Sequence, residues 1–206
     1  MERRDTQVGG PLLHCFPHGG GTAGAFRRWG ALFSTARVVA GPGACGASSV
    51  RAIVRRWRAI TPDRSGVYYG HSLGSLVAFE AAASALVDGR PDQIPTALVL
   101  GAPPDPGAEM AQRLGPLGSH DTAILDLVAI LGRYRPSTPR LPLQVLVLHG
   151  DLDVIVRADE AAGWVARGGP GSQLLRLESA GHMFHLAPMS AWVTPIRELL
   201  DRAVRA

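Results

Sequence analysis

The 206 residues are 46% hydrophobic and 18% charged, enough apolar material for one α/β core. All 21 basic residues are arginine, set against 17 acidic ones for a formal net charge of +4, and the chain has no lysine or asparagine. Such a bias points to a GC-rich coding sequence, and the scattered arginines lack interleaved aromatics, so nucleic-acid binding is not expected. No run of 18 uncharged apolar residues exists to span a membrane, and the polar start MERRDTQVGG has no signal-peptide centre. Two cysteines, Cys15 and Cys45, make no disulfide framework, and a reduced cytoplasmic setting is expected.

In chain order, PLLHCF (11–16) reads as a buried strand that ends at Pro17, and a glycine-rich loop, HGGGTAG, follows it. A short helix is expected over 24–33 and a second strand at RVVAG (37–41). SVRAIVRRWRAI (49–60) places apolar residues at 50, 53, 54, 57 and 60, a helical spacing with Ser48 or Ser49 as cap. GVYYG predicts a strand, and 74–87 a helix ending near Gly89. TALVLGA (96–102) and LQVLVLHG (143–150) are apolar without alternation, as parallel strands covered on both faces should be. A helix over 159–167, a strand at QLLRLES (173–179) and a helix over 189–204 complete the chain. Strand alternates with helix throughout, which predicts one α/β domain with a mainly parallel, doubly wound sheet. Residues 103–141 interrupt the rhythm with two Pro-Gly-rich stretches around HDTAILDLVAILGRY, and an excursion of that length is expected to be a lid.

The chemistry concentrates at VYYGHSLGSLVAFEAA (67–82). Gly70-His71-Ser72-Leu73-Gly74 fits G-x-S-x-G between a strand and a helix, the setting of a nucleophile elbow. Ser72 would stand at a helix N-terminus, where the dipole favours developing negative charge. A serine needs a histidine to take its proton and an acid to orient that histidine, in the chain order Ser, acid, His. His14 and His149 fall inside strands, His71 adjoins Ser72 but should point elsewhere, and His120 lies in the lid. That leaves His182 after the last strand, with His185 as its rival. For the acid, Asp153 is preferred to Asp151, which directly follows a strand and suits a turn, and Asp159 is weaker. The backbone N–H of Leu73 should supply one oxyanion donor and Gly19, in FPHGGG (16–21), the other. His18 in that loop, with Leu127 and Val128 in the lid, should touch substrate. The same loop lacks the ending of a P-loop and the spacing of a dinucleotide motif.

Four segments together resemble the type II thioesterases, stand-alone editing hydrolases of polyketide and nonribosomal peptide biosynthesis. FPHGGGTAGAFRRW is similar to their first-strand loop, YYGHSLGSLVAFEAA to their elbow, LHGDLDVIVRADEAAGWVA to their acid loop and SAGHMFHL to their histidine loop. The resemblance covers the chain in the correct order. It implies an α/β-hydrolase with a Ser72, Asp153, His182 triad and Leu73 and Gly19 as oxyanion donors. It further implies an acyl thioester substrate on the phosphopantetheine arm of a carrier protein, and it implies no metal or cofactor. An acyltransferase or cyclase with the same triad, or an idle carrier-binding protein, are the alternatives. The chain departs from the family in a shorter lid and in Ala44, where members carry arginine after Pro-Gly. Arg51, Arg55 and Arg58 share a helical face that could steer an acidic carrier.

Overall fold

The computed structural model describes residues 10–105 and 122–205. Among them, β1 Leu12–Phe16, β2 Arg37–Ala40, β3 Val67–His71, β4 Ala97–Gly101, β5 Gln144–Gly150 and β6 Gln173–Leu177 form one sheet. Every pairing is parallel and the order is β2-β1-β3-β4-β5-β6. The winding direction reverses between β1 and β3. Parallel sheets open a crevice at such a point, beyond the carboxyl ends of the strands.

The helices are α1 Trp29–Leu32, α2 Val50–Ile60, α3 Leu73–Val87, α4 Thr122–Arg133, α5 Ala158–Gly163 and α6 Ser190–Arg205. Strands β1, β3 and β4 are buried along their whole length, which is why their sequences show no alternation. Tyr68, Leu98 and Val147 send side chains into a core shared with α2 and α3. Their neighbours Tyr69, Val99 and Leu148 face a second core with Trp29, Trp192 and Ile196. Adjacent strand residues thus serve opposite layers.

Local choices follow the sequence. Ser49 caps α2 by accepting from the Ala52 amide at 3.2 Å, while Val50, Ile53, Val54 and Trp57 turn inward. The outward arginines are not all free for a partner. Arg51 donates to Glu80 at 2.9 Å, and Arg58 donates to Asp88 at 3.1 Å and to Ser84 at 3.0 Å. The helix expected over 159–167 is shorter, with α5 ending at Gly163 and a 3₁₀ turn over Val165–Arg167. There Trp164 turns into the core, and its indole N–H donates to the Pro104 carbonyl at 3.1 Å.

The first part of the expected lid, 106–121, and His120 with it, lie outside the described residues. The remainder divides. Ile130, Leu131 and Tyr134 are buried in the α2–α3 core, whereas Leu127 and Val128 are half-buried and Leu125 is exposed. The apolar spacing of α4 therefore serves the core at its C-terminal end.

Candidate active site

The site forms where β1, β3, β5 and β6 end. Ser72 follows β3 with φ 53° and ψ −120°, a conformation that L-residues hold only at a cost of roughly 1–3 kcal/mol. The surroundings impose it. The Ser72 amide donates to the Gly101 carbonyl at 2.8 Å, and Ser75 Oγ donates to the carbonyls of Gly70 and Gly101 at 2.8 and 3.0 Å. The flanking glycines permit the turn to close. A Cβ on Gly70 would lie 2.0 Å from the Gly74 carbonyl oxygen, and one on Gly74 would lie 2.1 Å from that of Phe16. This is why a hydroxyl sits between two residues without bulk: strand, helix and the end of β1 meet there at backbone contact distance.

The His182 ring contacts Asp153, with Nδ1 and Oδ2 2.8 Å apart. A carboxylate only accepts, so Nδ1 carries the hydrogen and the Nε2 lone pair is left to take a proton. The Asp153 side chain is fully buried, and its Oδ1 accepts from the amides of Ile155 and Val156 at 2.9 and 3.0 Å. Burial raises its pKa, but the hydrogen bond and charge of His182, with those two amides, outweigh it and hold the carboxyl below its ordinary range. Asp151 accepts instead from the Ala180 amide at 3.2 Å, bracing the histidine loop from below. Asp159 is exposed and engages Arg157. His149 braces the acid loop by donating from Nε2 to the Val156 carbonyl at 2.9 Å.

His185 is a core residue. It is 1% exposed, its Nε2 lies 3.2 Å from Nδ1 of His18, and burial followed by the charges of His18 and His182 pushes its pKa down to about 3. The half-buried His18 is lowered too, by burial and then by His182. His71 points away from the serine, beneath the histidine loop, where its Nε2 lies 2.7 Å from the His182 carbonyl and its Nδ1 3.0 Å from the Tyr69 hydroxyl. Motif reading singles out Ser72, Asp153 and His182, of which the last two are in contact here, but passes over Tyr69; only the i, i+2 spacing with His71 on a buried strand could have suggested it.

Leu73 opens α3, where the first amides lack an acceptor within the helix. Gly19 lies under Leu127, since a Cβ there would come within 2.8 Å of a Leu127 methyl. A cavity of about 470 Å³ lies between the 19–22 turn, the 43–46 loop and α4, which contributes Asp126, Leu127 and Ile130. Val128 does not border it. Among the described residues, no three His, Cys, Asp or Glu side chains are grouped to hold a metal, and no helix is long and apolar enough to cross a membrane.

The chain shares its shape with ClbQ from the colibactin NRPS/PKS pathway: TM-score 0.75, 18% identity, 95% of this chain and 99% of that one. It also matches the enol-lactonase of Burkholderia xenovorans LB400, with TM-score 0.73 and 13% identity over 96% and 94% of the two chains. The chain has the α/β-hydrolase fold. The chain is also similar to the type II thioesterase BorB from the borrelidin biosynthetic cluster, with TM-score 0.69 and 24% identity over 98% and 95% of the chains. A curated relative, a probable cadicidin biosynthesis thioesterase of Streptomyces griseus, is 25% identical over 94% of this chain. The chain spans 64% of that relative's length. No family model matches it.

Proposed function

We propose that the chain is a serine thioesterase that removes acyl groups from the phosphopantetheine arm of carrier proteins in polyketide or nonribosomal peptide biosynthesis. The observation that carries the chemistry is the His182–Asp153 pair, at 2.8 Å, on the sheet edge that also bears the strained Ser72. The thioester as substrate rests on the likeness to thioesterases of such pathways.

Ser72 Oγ attacks the thioester carbonyl as its proton passes to Nε2 of His182, and Asp153 stabilises the imidazolium. The amides of Leu73 and Gly19 receive the oxyanion. Collapse breaks the C–S bond, and His182 returns the proton to the departing thiol. A water then gives its proton to His182 and attacks the acyl-serine; the C–O bond to Ser72 breaks as His182 returns that proton to Oγ, which releases the acid and restores Ser72. None of these steps draws on a metal or cofactor. His18 beside the oxyanion loop and Leu127 of α4 act as substrate contacts, with 103–141 as the lid of a one-domain hydrolase and the cavity under Leu127 taking the acyl chain.

The test is hydrolysis of an acyl group loaded on a carrier protein, with release of free acid and free carrier thiol measured together. Ser72→Ala should abolish both. Transfer of the acyl group to an added alcohol or amine, with no free acid, would make the chain an acyltransferase; no release by the wild type would end the thioesterase reading.

A further inference from the structure

The residue just before the nucleophile has a role that the motif does not assign. His71 ends β3 and Tyr69 lies two residues before it, so their side chains leave the same face of the strand. Both are fully buried. A carbonyl oxygen can only accept, so the 2.7 Å contact between His71 Nε2 and the His182 carbonyl fixes the hydrogen on Nε2. Nδ1 is then the acceptor, and the Tyr69 hydroxyl, 3.0 Å away, donates to it. The polarity of the chain is settled from end to end: Tyr69 O–H to His71, His71 N–H to the backbone of His182.

Three further observations favour a neutral, immobile His71. His185 stacks on its ring with centroids 3.7 Å apart, and Phe184 meets it edge-on at 4.9 Å. Burial, then the charges of His185 and His182, hold its pKa well below the ordinary histidine value. On the far side, a Cβ on Gly101 would come 2.7 Å from both His71 Nδ1 and the Tyr69 hydroxyl, so the pocket is closed around the hydrogen bond.

We propose that Tyr69 and His71 are positioning residues, which hold the backbone of His182 at a fixed distance from Ser72. The inference rests on the triad reading above. Asp153 orients the His182 ring through Nδ1, while His71 holds the same residue by its carbonyl. Because His71 and Ser72 are consecutive, one strand end places both the nucleophile and the support of its base. An ångström of slack in that support would be felt directly in the rate.

The test compares His71→Gln, which keeps a donor near Nε2, with His71→Met, which keeps the length and loses the donor, and with the near-isosteric Tyr69→Phe. A fluorophosphonate probe reads the reactivity of Ser72 without any assumption about substrate. His71→Met should slow labelling and kcat by about tenfold to a hundredfold with little change in KM. The downfield proton of the His182–Asp153 hydrogen bond should broaden in parallel. His71→Gln should recover most of the rate and the sharp resonance, and Tyr69→Phe should fall between. If His71→Met does not fold, Tyr69→Phe against wild type decides by the same two readings. Wild-type labelling and an unchanged resonance in the folded variants, or a His71→Gln as slow as His71→Met, would overturn the positioning role. A wild type that the probe does not label would instead remove the triad reading beneath it.

Discussion

Arg51 donates from Nε to Oε1 of Glu80 at 2.9 Å, and Glu80 is fully buried in the alanine-rich helix α3. The same carboxylate accepts from the Tyr134 hydroxyl at 3.1 Å, and from the amide and hydroxyl of Ser137. One buried acid therefore fastens α2 and the stretch after α4 to α3, the helix that follows Ser72. Removing it leaves four donors, from three residues, without their acceptor. Glu80→Ala should cost about 3–5 kcal/mol in urea unfolding, in the range for breaking a buried ion pair. Arg51 is more than half exposed and can rehydrate, so Arg51→Ala should cost about 1 kcal/mol or less. Equal costs would mean that the network does not depend on the buried partner. Because Arg51 and Arg58 are engaged within the fold, Arg55 is the place to test carrier steering by charge reversal.

Asp153 and Asp151 occupy one loop but have different partners. Asp153→Asn allows the His182 ring to adopt the wrong tautomer and should lower kcat by about 10⁴-fold. Asp151→Asn loosens only the bond to the Ala180 amide and should cost less than about tenfold. Steady-state rates on one thioester rank the two, and the reverse order would move the acid to Asp151.

The buried histidines should make the protein sensitive to acid. His14 is lowered to about 4, chiefly by burial, and His185 to about 3. Both stay neutral in the folded state where the unfolded chain, with ordinary values near 6.5, already binds protons. Stability should be flat above about pH 6.5 and fall as pH drops from there toward 4, by up to about 1.4 kcal/mol per pH unit for each such group. Asp153 acts in a lower window: its depressed pKa contributes stability above the ordinary 3.8, lost as pH falls through the folded value. Urea midpoints at pH 7, 6 and 5 measure the slope, and His14→Gln should flatten it. A midpoint constant over that range would contradict the assignment.

Leu127 and Ile130 lie one turn apart on α4 with different surroundings. Leu127 rests on Gly19 and is half-buried, while Ile130 is 3% exposed and belongs to the core. Ile130→Ala should cost about 2–5 kcal/mol and lower the Tm. Leu127→Ala should leave the Tm nearly unchanged and reduce kcat/KM for long acyl thioesters more than for acetyl. Thermal melts and a chain-length series separate the two outcomes.

The fold was legible because each strand is a short apolar run punctuated by Gly or Pro, and all six such runs became strands. Ser72 announced itself through the small residues that its turn demands. The division of α4 was not legible, since a lid face and a core face share the same apolar spacing. Nor were the supports of the site. Tyr69 and His71 read as ordinary strand residues, and the carbonyl they hold comes from 111 positions further along. Ala102 gave no warning either, although it adopts φ 45° where β4 leaves the sheet beside the elbow.

The ties of Trp164 to Pro104, and of Tyr134 and Ser137 to Glu80, have a consequence for how such a chain can diversify. They stand like two gateposts on the rigid body of the molecule, one on each side of the sequence between 105 and 133. The supports of Ser72, Asp153 and His182 all come from outside that gate. On the lid role proposed above, an insertion, deletion or exchange between the posts would re-tailor what the cleft admits while leaving those supports in register. A short form and a long form of this scaffold can then differ in appetite without differing in chemistry.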